Sequence, residues 1–252
     1  MPDAKRRLCA RRPTRVAHGV WPLAVLAALL FSGTLFAGAS VANLKGRVSG
    51  WEKLLPAVYV EASKPDAHRY NWREPSPTVK QEFRRLSANV TRDVCVVALG
   101  GGAAGAHEPQ VVKVTGGRIT PATIVLSPGS RLSFKNADPF PHQLYEVGNA
   151  GWAPNPTAPG STREWAAAAP GVHQIRDQLF PGIVMYVVVD EKAVDYAYPD
   201  RDGQFTLNVP PGEYTLRAFF DGKPVGRAIE GVHVGDRGLE LKEQLAVGGE
   251  SK

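Results

Sequence analysis

The sequence predicts an all-β protein, a set of β-sandwiches behind an N-terminal export segment, and three observations carry that prediction. The stretches "QVVKVTGG", "RITPATIVLSPGS" and "RLSFKNAD", from residue 110 onward, alternate apolar and polar side chains, the period of strands with one buried face. Turn signals separate the runs: Pro128-Gly129, Asp202-Gly203, Pro211-Gly212 and Asp221-Gly222. No long helical pattern occurs beyond the leader, and 26 Gly and 21 Pro suit many short strands joined by turns. At 252 residues the chain has ample core for one large domain or two small ones.

Residues 1–42 form the leader. Lys5, Arg6, Arg7, Arg11, Arg12 and Arg15 precede an apolar run from Val20 to Phe36, and small residues follow through Ala42. A basic segment, an apolar segment and an A-x-A site describe a signal peptide, with Ala39 or Ala42 the last residue removed. The alternative is an uncleaved membrane anchor, since the apolar run is nearly long enough to span a bilayer. The chain carries a net charge of +6, from 30 basic and 24 acidic residues. The leader holds six of the basic residues and one of the acidic ones, which leaves 24 against 23, a net +1. A basic nucleic-acid footprint is absent, and nucleic-acid binding is rejected.

Residues 43–109 hold two short strands, one centred on Gly46-Arg47-Val48 and one on residues 57–61, then an irregular Pro-bearing stretch. A short helix is expected in "TVKQEFRRLSANV", then a strand in "RDVCVVAL" running into a glycine-rich connector. Cys95 in that strand reads as a small buried hydrophobe, and with no partner in the exported part it makes no internal disulfide. Residues 110–190 form the strongly alternating β region, interrupted by a long loop, "GNAGWAPNPTAPGSTREWAAAAPG". Residues 191–247 read as three strands between the Asp-Gly and Pro-Gly turns, and the polar residues after Leu245, with 248–252 as a tail, are expected to be disordered.

"ITPATIVLSPGSRLSFKNADPFPHQ" resembles the first half of a cupredoxin, a plastocyanin-like Greek-key sandwich, through Pro121, Ile124, Val125, Gly129, Leu132, Phe134, Asn136, Asp138 and His142. The resemblance implies that His142 stands where the family's first copper ligand stands. In the second half, His173 and Ile175 follow Gly171 at the family's aromatic places. Asp177 falls on its cysteine, Phe180 on its second histidine, Pro181 on its proline and Ile183 on its methionine. Three of four ligand positions are therefore changed. A blue-copper centre needs a thiolate and two imidazoles with a weak axial sulfur, so His142 reads as a relic and no copper cofactor is expected. The pair His142 and Asp177 is expected to form a charge-assisted hydrogen bond in the metal's place, with Phe180 and Ile183 filling the vacated volume.

Residues 200–218, "DRDGQFTLNVPPGEYTLRA", resemble a carboxypeptidase regulatory-like domain, a transthyretin-like sandwich, through Gly203, Phe205, Leu207, Pro211-Gly212 and Tyr214. Gly46, Val48 and Ala57 match the opening of such a domain. The layout this implies is discontinuous, with early strands completing a sandwich whose remainder follows residue 190.

Other constellations yield weaker expectations. His142, His173 and Asp177 could hold zinc or copper, the latter two sharing a strand face. Asp200 and Asp202 flank a turn, with a weak calcium site as the alternative. No G-x-S-x-G occurs, and no catalytic activity is expected. His68, His107 and His233 read as surface residues. Tyr70 and Trp72, interleaved with Arg69 and Arg73, and Trp152 and Trp165 near the former metal end, are candidate contacts to an envelope protein or glycan. The expected function is a periplasmic or secreted, non-catalytic binding or scaffold module of the bacterial cell envelope. The alternatives are a periplasmic copper-binding electron carrier or copper chaperone with a non-standard site, and a cell-envelope carbohydrate binder.

Overall fold

The computed structural model describes residues 41–55, 88–101 and 109–248. Residues 1–40 of the leader, the expected strand at 57–61, Tyr70, Trp72, His68, His107, most of the expected helix and most of the glycine-rich connector lie outside these residues, whereas Ala42, expected at the leader's end, is a buried strand residue paired with Val209. No described helix is long and apolar enough to cross a membrane.

The regular structure of the described residues is nearly all β. It begins with β1 (Ala42–Ser49) and, after the undescribed stretch, a single turn α1 (Val90–Asp93) and β2 (Val94–Gly100). Next come β3 (Gln110–Thr115), β4 (Arg118–Thr120), β5 (Thr123–Leu126), β6 (Arg131–Asn136) and β7 (Leu144–Glu146). Then follow β8 (Thr162–Ala166), β9 (Gly171–Asp177), β10 (Val184–Val189) and β11 (Ala193–Ala197). The last are β12 (Gln204–Val209), β13 (Gly212–Phe220), β14 (Lys223–Val234), β15 (Leu239–Glu240) and β16 (Leu245–Ala246).

Two sandwiches result. In the first, β1 pairs antiparallel with β12, Leu44 opposite Leu207, and parallel with β15 and β16. Its facing sheet runs β11-β2-β13-β14. Alternation places Leu44, Val48, Val96, Leu207, Leu216 and Leu245 between the sheets, each with at most 1% exposure. The second sandwich pairs sheet β4-β3-β6-β8 with sheet β5-β10-β9-β7, with β3 parallel to β6 and β5 parallel to β10. Ile124, Leu132, Phe134, Ile175, Met185 and Val187 fill its interior. The outer faces of β5 and β10 then meet the outer faces of β2 and β13 through Val125, Val188, Cys95, Val97 and Phe219. Cys95 is fully enclosed there, and burial pushes its thiol up to about 12, so it packs as a hydrophobe.

Four local expectations change. "RITPATIVL" is not one strand: it divides at Pro121 into β4 and β5, which belong to different sheets. Proline has no N–H for the ladder and suits a point where the chain changes sheets. The long loop contains β8, because Thr162–Ala166 pairs with β6 and buries Trp165. The strand β11 pairs with β2 through a bulge between Ala193 and Asp195, which breaks its alternation. The tail is ordered through Gly248: Leu245 pairs with Val48, and the Val247 N–H donates to Ser49 O at 2.9 Å. Val247 is also fully buried, so its apolar side chain holds this segment against the first sandwich.

Candidate functional site

The site is built on the loop between β6 and β7. Asn136 ends β6, and its side chain accepts from the Asp138 N–H at 2.9 Å, an Asx turn. Its amide donates to Phe140 O and Thr157 O, both at 2.9 Å, which fixes the loop against the segment before β8. His142 and Thr157 exchange backbone hydrogen bonds of 3.1 and 2.7 Å. The imidazole of His142 therefore enters the sandwich end with no exposure.

Both ring nitrogens meet carboxylates. Nδ1 lies 2.8 Å from Asp177 Oδ2, and Nε2 lies 3.1 Å from Asp138 Oδ2. The Asp177 Oδ2 atom also accepts from the Gln143 N–H, and its Oδ1 accepts from the N–H groups of Leu179 and Phe180 at 2.7 and 3.0 Å. Asp138 accepts from the N–H groups of Gly116 and Gly117 at 2.6 and 3.0 Å. Those two glycines form the β3–β4 turn with φ of 60° and 64°, so their amides converge on one anion. Each ring nitrogen of His142 therefore faces a carboxylate oxygen. The imidazole stands between two carboxylates, with Phe140 and Phe180 rings 5.2 and 5.0 Å from it.

Beside it lies a second buried cluster, absent from the sequence expectations. Glu146 on β7 accepts from Trp165 Nε1 at 2.7 Å and Asn149 Nδ2 at 2.8 Å, and its Oε1 lies 2.6 Å from His173 Nδ1. His173 Nε2 faces Ala169 O at 2.9 Å. Burial raises the Glu146 carboxyl, but these hydrogen bonds outweigh it and hold the group below its ordinary 4.5. Asp138 behaves likewise: burial raises it, while Gly117, Gly116 and His142 together hold it below the ordinary 3.8. Groups depressed in the folded state stabilise it above their unfolded pKa and lose that contribution as pH falls through the folded value. The urea midpoint is thus expected to hold at neutral pH and fall steeply below about pH 4, and Glu146→Gln should flatten part of that acid limb.

The zinc or copper triple expected of His142, His173 and Asp177 does not assemble. His173 and Asp177 do lie on one face of β9, but four residues of strand separate their α-carbons by about 13 Å. His173 instead engages Glu146, and among the described residues no three His, Cys, Asp or Glu side chains are arranged to hold a metal ion. The copper set implied by the cupredoxin resemblance does not fit either. Both His142 nitrogens are engaged, the thiolate position carries Asp177, and Phe180 and Ile183 offer no donor atom.

Trp165, expected at a binding rim, is a core residue with 3% exposure, because its indole N–H satisfies buried Glu146. Trp152 is half-buried: it stacks near Phe134, carries the Arg163 guanidinium 4.0 Å from its ring centre, and donates to Glu164 O. Arg163 in turn donates to Leu144 O and Ala153 O, so this pair ties β8 to β7. Asp200 closes its turn through Asp202 N and Gln204 N, both accepted by Oδ1. His233 is exposed on β14.

No family model matches the chain, and no curated protein matches it. Among solved structures it is similar to the Cu(I) form of an amicyanin variant, at 16% identity over 39% of this chain and 99% of amicyanin, with a TM-score of 0.30. It is also similar to a purple cupredoxin from Nitrosopumilus maritimus, at 18% identity over 32% of this chain and 99% of that one, with a TM-score of 0.29. A copper-containing nitrite reductase from Thermus scotoductus SA-01 matches at 20% identity and a TM-score of 0.30, over 37% of this chain and 25% of its own length.

Proposed function

We propose that the chain is a non-catalytic binding or scaffold module, exported to the periplasm or beyond, in which an ion-paired cross-link stands where the cupredoxin resemblance places copper. One observation carries this reading: Asp138 and Asp177 engage both nitrogens of His142 in a fully buried site. A histidine that must leave two carboxylates before it can bind a metal is a poor ligand, because breaking a buried ion pair costs several kcal/mol. The loop that follows Asp177 leaves Leu179 47% exposed, apolar surface beside the pair for a partner protein or glycan.

The test is the metal content of the purified chain, followed by Cu(II) titration of wild type and His142→Ala. Metal-free protein with weak, non-stoichiometric uptake in both is expected. One copper per chain, lost with His142 and giving a defined EPR spectrum, would overturn the proposal and favour an electron carrier or copper chaperone.

A further inference from the structure

Beyond that module role, we infer that the chain holds a small-molecule site in the cleft between its two sandwiches, suited to a compact apolar ligand with one anionic group. The cleft has a volume of about 430 Å³, and its walls come from β3, β5 and the start of β6 on one side and from β11 and Tyr198 on the other. That volume lies within the roughly 300–1,000 Å³ of ordinary ligand pockets, and a junction between two folded units is a common place for one.

The walls are mainly apolar, with Val112, Pro121, Ile124, Leu126 and Val194 among them. Tyr196 and Tyr198 add an edge-to-face pair of rings, 5.9 Å between centres. Their hydroxyls are held by Gln110 Oε1 at 3.1 Å and Thr123 O at 2.7 Å, so the rings are fixed in place before any ligand arrives. Polar groups gather at one end. Ser127 and Ser130 are nearly buried, with Oγ atoms 3.2 Å apart, and Arg131 follows them directly.

The charges decide the ligand class. Among the described residues Arg131 has no side-chain hydrogen bond or ion pair, whereas the cleft's carboxylate, Asp195, already accepts from the Asn208 N–H at 2.7 Å. A guanidinium without a partner, beside two hydroxyls and an apolar cavity, matches a carboxylate or sulfonate head joined to an apolar body. The copper-end cluster contributes no residue to this cleft.

Two dyes test the inference on the full chain: 1-anilinonaphthalene-8-sulfonate, and N-phenyl-1-naphthylamine, which is the same molecule without the charge. One sulfonate dye per chain, with saturable fluorescence, is expected. Arg131→Ala should weaken it by about tenfold, the order of one charged hydrogen bond, and leave the uncharged dye within about twofold. Val111→Trp should displace both dyes. Val111 is 61% exposed at the cleft and Arg131 is exposed, so neither substitution disturbs a core, and an unchanged far-UV spectrum and urea midpoint confirm folding. No saturable binding by the wild type, or binding indifferent to Val111→Trp, would overturn the site. Equal loss of both dyes with Arg131→Ala, or no loss of either, would overturn the anionic class.

Discussion

Asp177→Ala should cost about 3–5 kcal/mol of folding stability, the toll of removing one partner from a buried ion pair. The side chains of Asp177 and His142 are both fully buried and meet at 2.8 Å. Removing the carboxylate strands the His142 ring on that side and also orphans the N–H groups of Gln143, Leu179 and Phe180. Equilibrium urea unfolding at neutral pH measures the loss, and a change below about 1 kcal/mol would show that the pair contributes little. Asp200→Ala, at an exposed turn, is the comparison and should stay near 1 kcal/mol or less. The double variant His142→Leu/Asp177→Leu should recover part of the deficit, since the stranded imidazole is gone and Asp138 keeps the Gly116 and Gly117 amides as donors.

Gly226→Ala is the second large effect, about 2–4 kcal/mol, combining left-handed strain with a steric overlap. Gly226 has a φ of 67°, and a Cβ there would overlap the carbonyl oxygen of Ala246 and crowd Val247. The substitution would push β16 off β1 and expose Leu245 and Val247, which have at most 1% exposure. Gly231 shares the φ of 67° but has open space around its missing Cβ, so Gly231→Ala isolates the strain and should cost only about 1–2 kcal/mol. Equal losses in the two variants, read from urea midpoints, would mean that the Ala246 contact carries no weight.

What was legible in the sequence followed the period of the side chains. Strands β3, β6, β10, β12 and β13 alternate or run apolar, and each was visible as such. Strands β15 and β16 are two residues long, too short for any period, and their places are set by pairing with β1, a partner some two hundred residues away. The Thr162–Ala166 strand buries only Trp165 fully and sits in a stretch rich in Pro and Gly, so its neighbours masked it. His142 and Asp177 came together through family resemblance, not through periodicity. Asp138 carries a local signal of its own, Asp and His four apart across a Pro-rich loop, but its other donors, the Gly116-Gly117 amides, lie more than twenty residues away. Glu146 had one too, because it shares a strand face with buried Leu144, and an acid pointing inward requires donors. Their identity, Trp165 and His173, is a long-range fact that alternation does not encode.

The path of the chain between the sandwiches has a consequence for engineering. It leaves the first sandwich at Gly100 and returns at Ala193, and those ends belong to β2 and β11, neighbours in one sheet, with Ala193 opposite Leu99 and the Gly100 N–H donating to Lys192 O. The second sandwich thus hangs from what would otherwise be a plain hairpin, and a two-residue turn could close the gap at small entropic cost. Yet the host would then bare Val97 and Phe219 to water, both 5% exposed or less as they stand. Topology makes the guest removable, while the greasy seam beneath it binds host and guest face to face. A viable excision would need Val97 and Phe219 recoloured with polar side chains first.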